Sequence, residues 1–95
     1  MRLDAKTDSN QSEIVAALRK VGCSVELLHR VGRDSPDILV GRAGLNFLIE
    51  CKSAGGQLSE GQQKWHEHWA GQVDVAWTLE DALQIVGLLS RRVRL

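Results

Sequence analysis

The chain has 95 residues, enough for one domain with a modest core. Hydrophobic residues at 43% and charged residues at 25% are ordinary globular values, which exclude disordered, collagen-like and coiled-coil descriptions. The 12 basic and 12 acidic residues cancel, so the molecule has no bulk attraction for a polyanion, and any contact with nucleic acid must come from local clustering.

The polar start MRLDAKTDSNQSE lacks the apolar centre of a secretory signal, and no apolar run is long enough to cross a bilayer. Cys23 and Cys51 have no metal-ligand spacing and read as small buried hydrophobes in a reducing compartment. The expected location is cytoplasmic, and residues 1–95 are expected to form a single domain without repeat or linker.

A first helix begins near Asn10, which with Glu13 three residues on makes an N-cap pair. Ile14, Leu18 and Val21 form its apolar stripe, and Gly22 ends it. CSVELLHRV follows as a strand candidate, with Val25 and Leu27 on one side. The loop HRVGRDS carries Arg30 and Arg33 up to Pro36. DILVG and LNFLIECK then read as two strands joined at Arg42-Ala43-Gly44, a hairpin. Beyond Gly55-Gly56, Ser59 with Gln62 signals a second capped helix bearing Leu58, Trp65 and Trp69. VDVAW is a short strand, Thr78 caps a third helix, and Leu79, Leu83, Val86 and Leu89 give that helix its stripe. The order α-β-β-β-α-β-α implies an α/β fold, a mixed sheet with helices on both faces. Such a sheet is apolar at nearly every strand position.

Three residues break that apolar pattern. Side chains alternate along LNFLIECK, so Glu50 and Lys52 share one face and Phe47, Ile49 and Cys51 the other. If the strand beginning at Asp37 pairs beside it, Asp37 approaches Glu50 across the sheet. Two neighbouring carboxylates repel unless a cation sits between them. A hard divalent ion with oxygen ligands, Mg²⁺ or Mn²⁺, is the natural occupant. Such an ion lowers the pKa of a bound water and polarises a phosphoryl oxygen, while a neighbouring lysine orients the water or balances charge on the phosphate.

Pro36-Asp37, twelve intervening residues and Glu50-Cys51-Lys52 resemble the signature of the PD-(D/E)XK nucleases. The flanking features resemble its VRR-NUC branch: a helical Glu13, a Gly-containing loop into Pro-Asp, then Leu58-Ser59-x-x-Gln62 opening a helix with Trp65 following. The likeness runs from about Glu13 to Leu83, and the ordered set in its helix and strand context is more specific than Pro-Asp with Glu-x-Lys alone. The loop before Pro36 departs from the family, carrying Arg33-Asp34-Ser35 where a small pair is common.

The resemblance implies a restriction-endonuclease-like core and a free-standing nuclease of the kind found in bacteria or phage-infected cells. It makes Asp37 and Glu50 metal ligands, gives Cys51 a ligating backbone carbonyl, and makes Lys52 the catalytic base or charge stabiliser. Glu13 and Gln62 complete the implied site, Glu13 as a further ligand. The implied activity is a Mg²⁺- or Mn²⁺-dependent deoxyribonuclease that hydrolyses phosphodiester bonds in branched or four-way DNA, acting as a homodimer. The apolar tail VGLLSRRVRL and the VDVAW strand are the candidate dimer surfaces.

Arg30, Arg33 and Arg42, expected in loops beside the site, and Lys64 on the second helix are candidate phosphate contacts. Arg91, Arg92 and Arg94 suit either DNA contact or the C-terminus of the last helix. Purely structural readings exist as well. Asp37 is also a turn former, Glu50 with Lys52 a solvated edge pair, and Glu13 and Gln62 helix caps. His66 and His68 stand about 200° apart on a helix and cannot share one ion, so both read as surface or partly packed residues. Trp65 and Trp69 read as core or subunit contact. The rival function is a non-catalytic nucleic-acid-binding protein that keeps the nuclease fold, or an assembly factor; a restriction-type endonuclease is the third.

Overall fold

The computed structural model describes residues 10–90. It contains α1 (Gln11–Lys20), β1 (Ser24–Leu27), β2 (Ile38–Arg42), β3 (Leu45–Cys51), α2 (Glu60–His68), β4 (Asp74–Ala76) and α3 (Leu79–Ile85). This is the element order that the sequence predicts. Arg91, Arg92 and Arg94, and with them part of the apolar tail, lie outside the described residues.

The strands form one mixed sheet in the order β1-β2-β3-β4. β1, β2 and β3 are antiparallel neighbours, and β4 runs parallel to β3. The β2–β3 hairpin closes through Ala43 and Gly44, both at positive φ (53° and 80°). A two-residue turn with both central residues left-handed matches the twist of the flanking strands. The connection is therefore one residue shorter than expected, because Arg42 pairs with Leu45 as the last rung of the ladder. The parallel β3–β4 pair needs a crossover, and α2 lies within it.

One sheet face builds the core. Val25, Ile38, Val40, Ile49, Cys51 and Ala76 point to it and meet Ile14, Val15 and Leu18 of α1 with Ala82 of α3 and Val86 just beyond it. The spacing 14, 15, 18 gives α1 its buried stripe. Gly22 at φ 98° then reverses the chain, with Cys23 N–H donating to Leu18 C=O at 3.0 Å. Cys23 and Cys51 are buried and not disulfide-bonded, as small hydrophobes. No helix among the described residues is long and apolar enough to cross a membrane.

The opposite face carries Leu39, Leu48 and Glu50 and is only partly covered. α2 crosses it at the Glu50 end. Further along, Leu28, Leu39, Leu48 and Trp69 line an open groove of about 430 Å³. Helices thus lie on both faces, but the second is half open. α2 has no buried residue. Trp65 and Trp69 stack on each other, with ring centroids 4.6 Å apart and planes 18° apart, and Trp69 remains 45% exposed. Core packing, one of the two readings of this pair, is corrected: the rings stack on each other and Trp69 lines the open groove.

Asn10 also differs from its expected role. It makes no side-chain cap to α1. Its Nδ2 donates instead to the carbonyls of Lys52 and Trp77, so the start of α1 is pinned to the C-terminal ends of β3 and β4. Thr78 does cap α3, accepting from Asp81 N–H at 3.0 Å.

Candidate active site

Pro36 and Asp37 deliver the chain into β2. Pro36 is fully buried and its fixed φ extends the backbone, and Asp37 C=O accepts Leu28 N–H at 2.9 Å, prolonging the β1–β2 ladder. Ile38 pairs with Ile49, so one rung outward Asp37 stands opposite Glu50. Alternation puts both on the half-covered face. The sequence expectation that these carboxylates approach across the sheet agrees with this register. Asp37 Oδ2 accepts the backbone N–H of Cys51 at 2.8 Å, which fixes its carboxylate against β3.

Glu50 is the sole charged side chain buried among the described residues, at 2% exposure. Burial of a carboxylate demands hydrogen bonds or opposite charge. α2 supplies part of this need. Gln62 Nε2 donates to Glu50 Oε2 at 3.2 Å. One turn later His66 Nε2 lies 3.8 Å from Glu50 Oε1, its side chain 13% exposed. Residues i and i+4 share a helix face, so Gln62 and His66 reach the two oxygens of one carboxylate. Burial lowers the His66 pKa below the usual value, and the nearby Asp74 charge opposes that shift.

Gln62 also closes the capping box of α2. Its N–H donates to Ser59 Oγ at 3.1 Å and its Oε1 accepts Ser59 N–H at 2.9 Å. Capping and contact with Glu50, two separate readings of the sequence, are both present. Lys52 lies just past β3, half-buried, on the Glu50 face by alternation; its N–H donates to Ala76 C=O at 3.0 Å. Glu13 is exposed in the first turn of α1, one turn from Asn10, whose amide reaches the Lys52 carbonyl.

A polar cavity of about 470 Å³ opens beside these groups, lined by His29, Asp34, Ser35, Asp37 and Gln62 among others. Gly32, Arg33 and Asp34 follow one another at positive φ (69°, 55° and 68°), and Gly32 and Asp34 line the cavity. The loop settles on α2 because residue 61 is glycine: a Cβ there would stand 2.4 Å from Asp34 Oδ2. Arg30 and Arg33 are exposed on the same loop. Lys64 is exposed on α2 and pairs with Glu60 at 3.8 Å.

Arg42 is not in a loop beside the site. It ends β2 at the far end from Asp37, and its guanidinium donates to Val86 C=O at 2.9 Å, closing the C-terminus of α3. His66, read as surface or partly packed, is partly packed, and what it packs against is Glu50; the available signal for that neighbour is its four-residue spacing from Gln62. His68 is exposed, and its Nδ1 donates to Lys64 C=O at 2.8 Å, so the two histidines are separate, as expected.

Among the described residues no group of three His, Cys, Asp or Glu side chains forms a ready-made metal cage. The donors that are present fit a divalent ion in kind. Asp37 and Glu50 stand one position beyond the Ile38–Ile49 pair on neighbouring strands, and the buried Nε2 of His66 has no hydrogen-bond partner. Comparisons of the chain with protein-family models, with curated proteins and with solved structures found no match.

Proposed function

We propose that the protein is a divalent-metal-dependent DNA endonuclease of the PD-(D/E)XK type, in the VRR-NUC branch, built on a restriction-endonuclease-like core. The observation that carries this reading is the Asp37–Glu50 rung, with Lys52 two residues along the same face and Gln62 bonded to Glu50. The residue types and their order along the chain support the same reading.

Asp37 and Glu50 hold the ion, with Cys51 offering its carbonyl and Glu13 approaching from α1. When bound, a hard divalent ion supplies a Lewis acid for the phosphate oxygen and a water of lowered pKa. Lys52 holds an ammonium group on the same face, suited to orienting the attacking water or to balancing charge that develops on the phosphate. Gln62 keeps Glu50 aimed. Arg30, Arg33 and Lys64 are exposed cations available to flanking phosphates. No residue set suggests base readout, so recognition rests on DNA shape, with branched substrates preferred and a homodimer presenting two sites to two strands.

Incubation with labelled four-way, flap and single-stranded DNA in Mg²⁺ and in Mn²⁺ tests the reading. Nicked product from the branched substrates, absent with Asp37→Asn, is expected. Binding without any nicked product in either metal would select the non-catalytic alternative.

A further inference from the structure

His66 is the feature of the site that the proposed chemistry leaves unused. Its Nε2 is buried, lacks a hydrogen-bond partner and faces Glu50 Oε1 at 3.8 Å. That separation is too long for a hydrogen bond. Cis ligands of an octahedral ion with bonds of about 2.0–2.1 Å stand roughly 3 Å apart, so the pair closes by under about 1 Å to share an ion. Small torsional changes in two side chains absorb the difference. Gln62, one turn earlier on α2, occupies Oε2 and so leaves Oε1 as the oxygen nearer the imidazole.

We propose that His66 is a nitrogen ligand of the divalent ion held at Glu50, and that it makes the site prefer Mn²⁺ or a later first-row ion to Mg²⁺. The inference rests on the reading of Glu50 as a metal ligand. Its chemistry follows from ligand softness. Mg²⁺ demands oxygen donors and keeps several waters, whereas imidazole suits the transition ions. An all-oxygen site made by Asp37, Glu50 and a carbonyl shows no such bias. The positions not filled by protein belong to water or to a phosphate oxygen.

The test uses the full chain with Mn²⁺ alone, without DNA, read by electron spin-echo envelope modulation for nitrogen coupled to the ion. The chain has 3 histidines, so a His29→Gln/His68→Gln variant keeps His66 as the sole imidazole. That variant is expected to show nitrogen modulation, and His66→Gln to show none. By calorimetry, His66→Gln is expected to bind Mn²⁺ at least about 10-fold more weakly while Mg²⁺ affinity changes less than about 3-fold. Far-UV circular dichroism checks that His66→Gln folds; if it does not, the spectrum of the double variant decides alone. Mn²⁺ bound without nitrogen modulation in the double variant overturns the inference. If the parent nevertheless nicks DNA, the nuclease reading survives that result. A parent that takes up no divalent ion overturns both.

Discussion

Gln62 donates from Nε2 to Glu50 Oε2 at 3.2 Å while its Oε1 accepts the N–H of Ser59 at 2.9 Å. A single amide thus starts α2 and secures the buried carboxylate of β3. This bond couples the helix after the hairpin to the proposed site.

Gln62→Ala removes both bonds and is expected to lower unfolding free energy by about 1–2 kcal/mol. Gln62→Glu keeps an acceptor for the cap but turns a second carboxylate toward Glu50, and is expected to cost more than Gln62→Ala. Urea denaturation of both variants checks the order. The reverse order would show that the cap alone explains the residue.

The pH dependence of stability follows from His66. Burial lowers its pKa and Asp74 opposes this, so the unfolded chain binds the proton more tightly. The contribution of neutral His66 is fully present above the unfolded value of about 6.5 and is lost as pH falls below it toward the lower folded value. Glu50 from β3 and Asp74 from β4 are the charged groups facing the ring. Unfolding free energy measured without metal from about pH 7.5 to about pH 5.5 should fall more steeply in the parent than in His66→Gln.

The contact between Asp34 and Gly61 predicts a non-additive pair. Alanine is favoured over glycine inside a helix by about 1 kcal/mol, but at position 61 its Cβ meets the Asp34 carboxylate. Gly61→Ala should therefore gain less stability in the parent than in an Asp34→Gly background, where glycine also suits the positive φ of residue 34. A double-mutant cycle by chemical denaturation measures the coupling. Additive effects would show that the loop does not rest on α2.

Arg42→Ala is expected to destabilise by about 1.5 kcal/mol, through loss of its charged hydrogen bond to the end of α3. It should leave the salt dependence of DNA binding unchanged. Arg33→Ala, on the loop at the cavity mouth, should shallow that dependence by about one phosphate contact. Equal effects of the two on binding would contradict the placement of Arg42 as a structural residue.

Much of this architecture was legible because the chain obeys simple periodicities. Two apolar runs around Arg42-Ala43-Gly44 mark the hairpin, and alternation in LNFLIECK puts Glu50 and Lys52 on one face. Ser59 with Gln62, and Thr78, mark two helix starts. Two failures share a physical cause, since each concerns a polar side chain whose partner lies far along the chain. Asn10 looked like a cap because Glu13 follows it, yet its amide spans to Lys52 and Trp77. Arg42 looked like a turn residue, yet it reaches Val86. His66 is partly packed as read, and its partner Glu50 lies on a different element. Core was one of two readings of Trp65 and Trp69, but the rings stack on each other, i to i+4, and Trp69 borders an open groove.

The central claim is that Asp37 and Glu50 jointly hold one divalent ion. Calorimetric titration of Mn²⁺ into the parent, Asp37→Asn and Glu50→Gln, each confirmed folded by circular dichroism, tests it most directly. The account predicts saturable uptake by the parent, weakened by at least about 10-fold in each single variant. Uptake in Asp37→Asn equal to that of the parent, or no uptake by the parent at all, would contradict it.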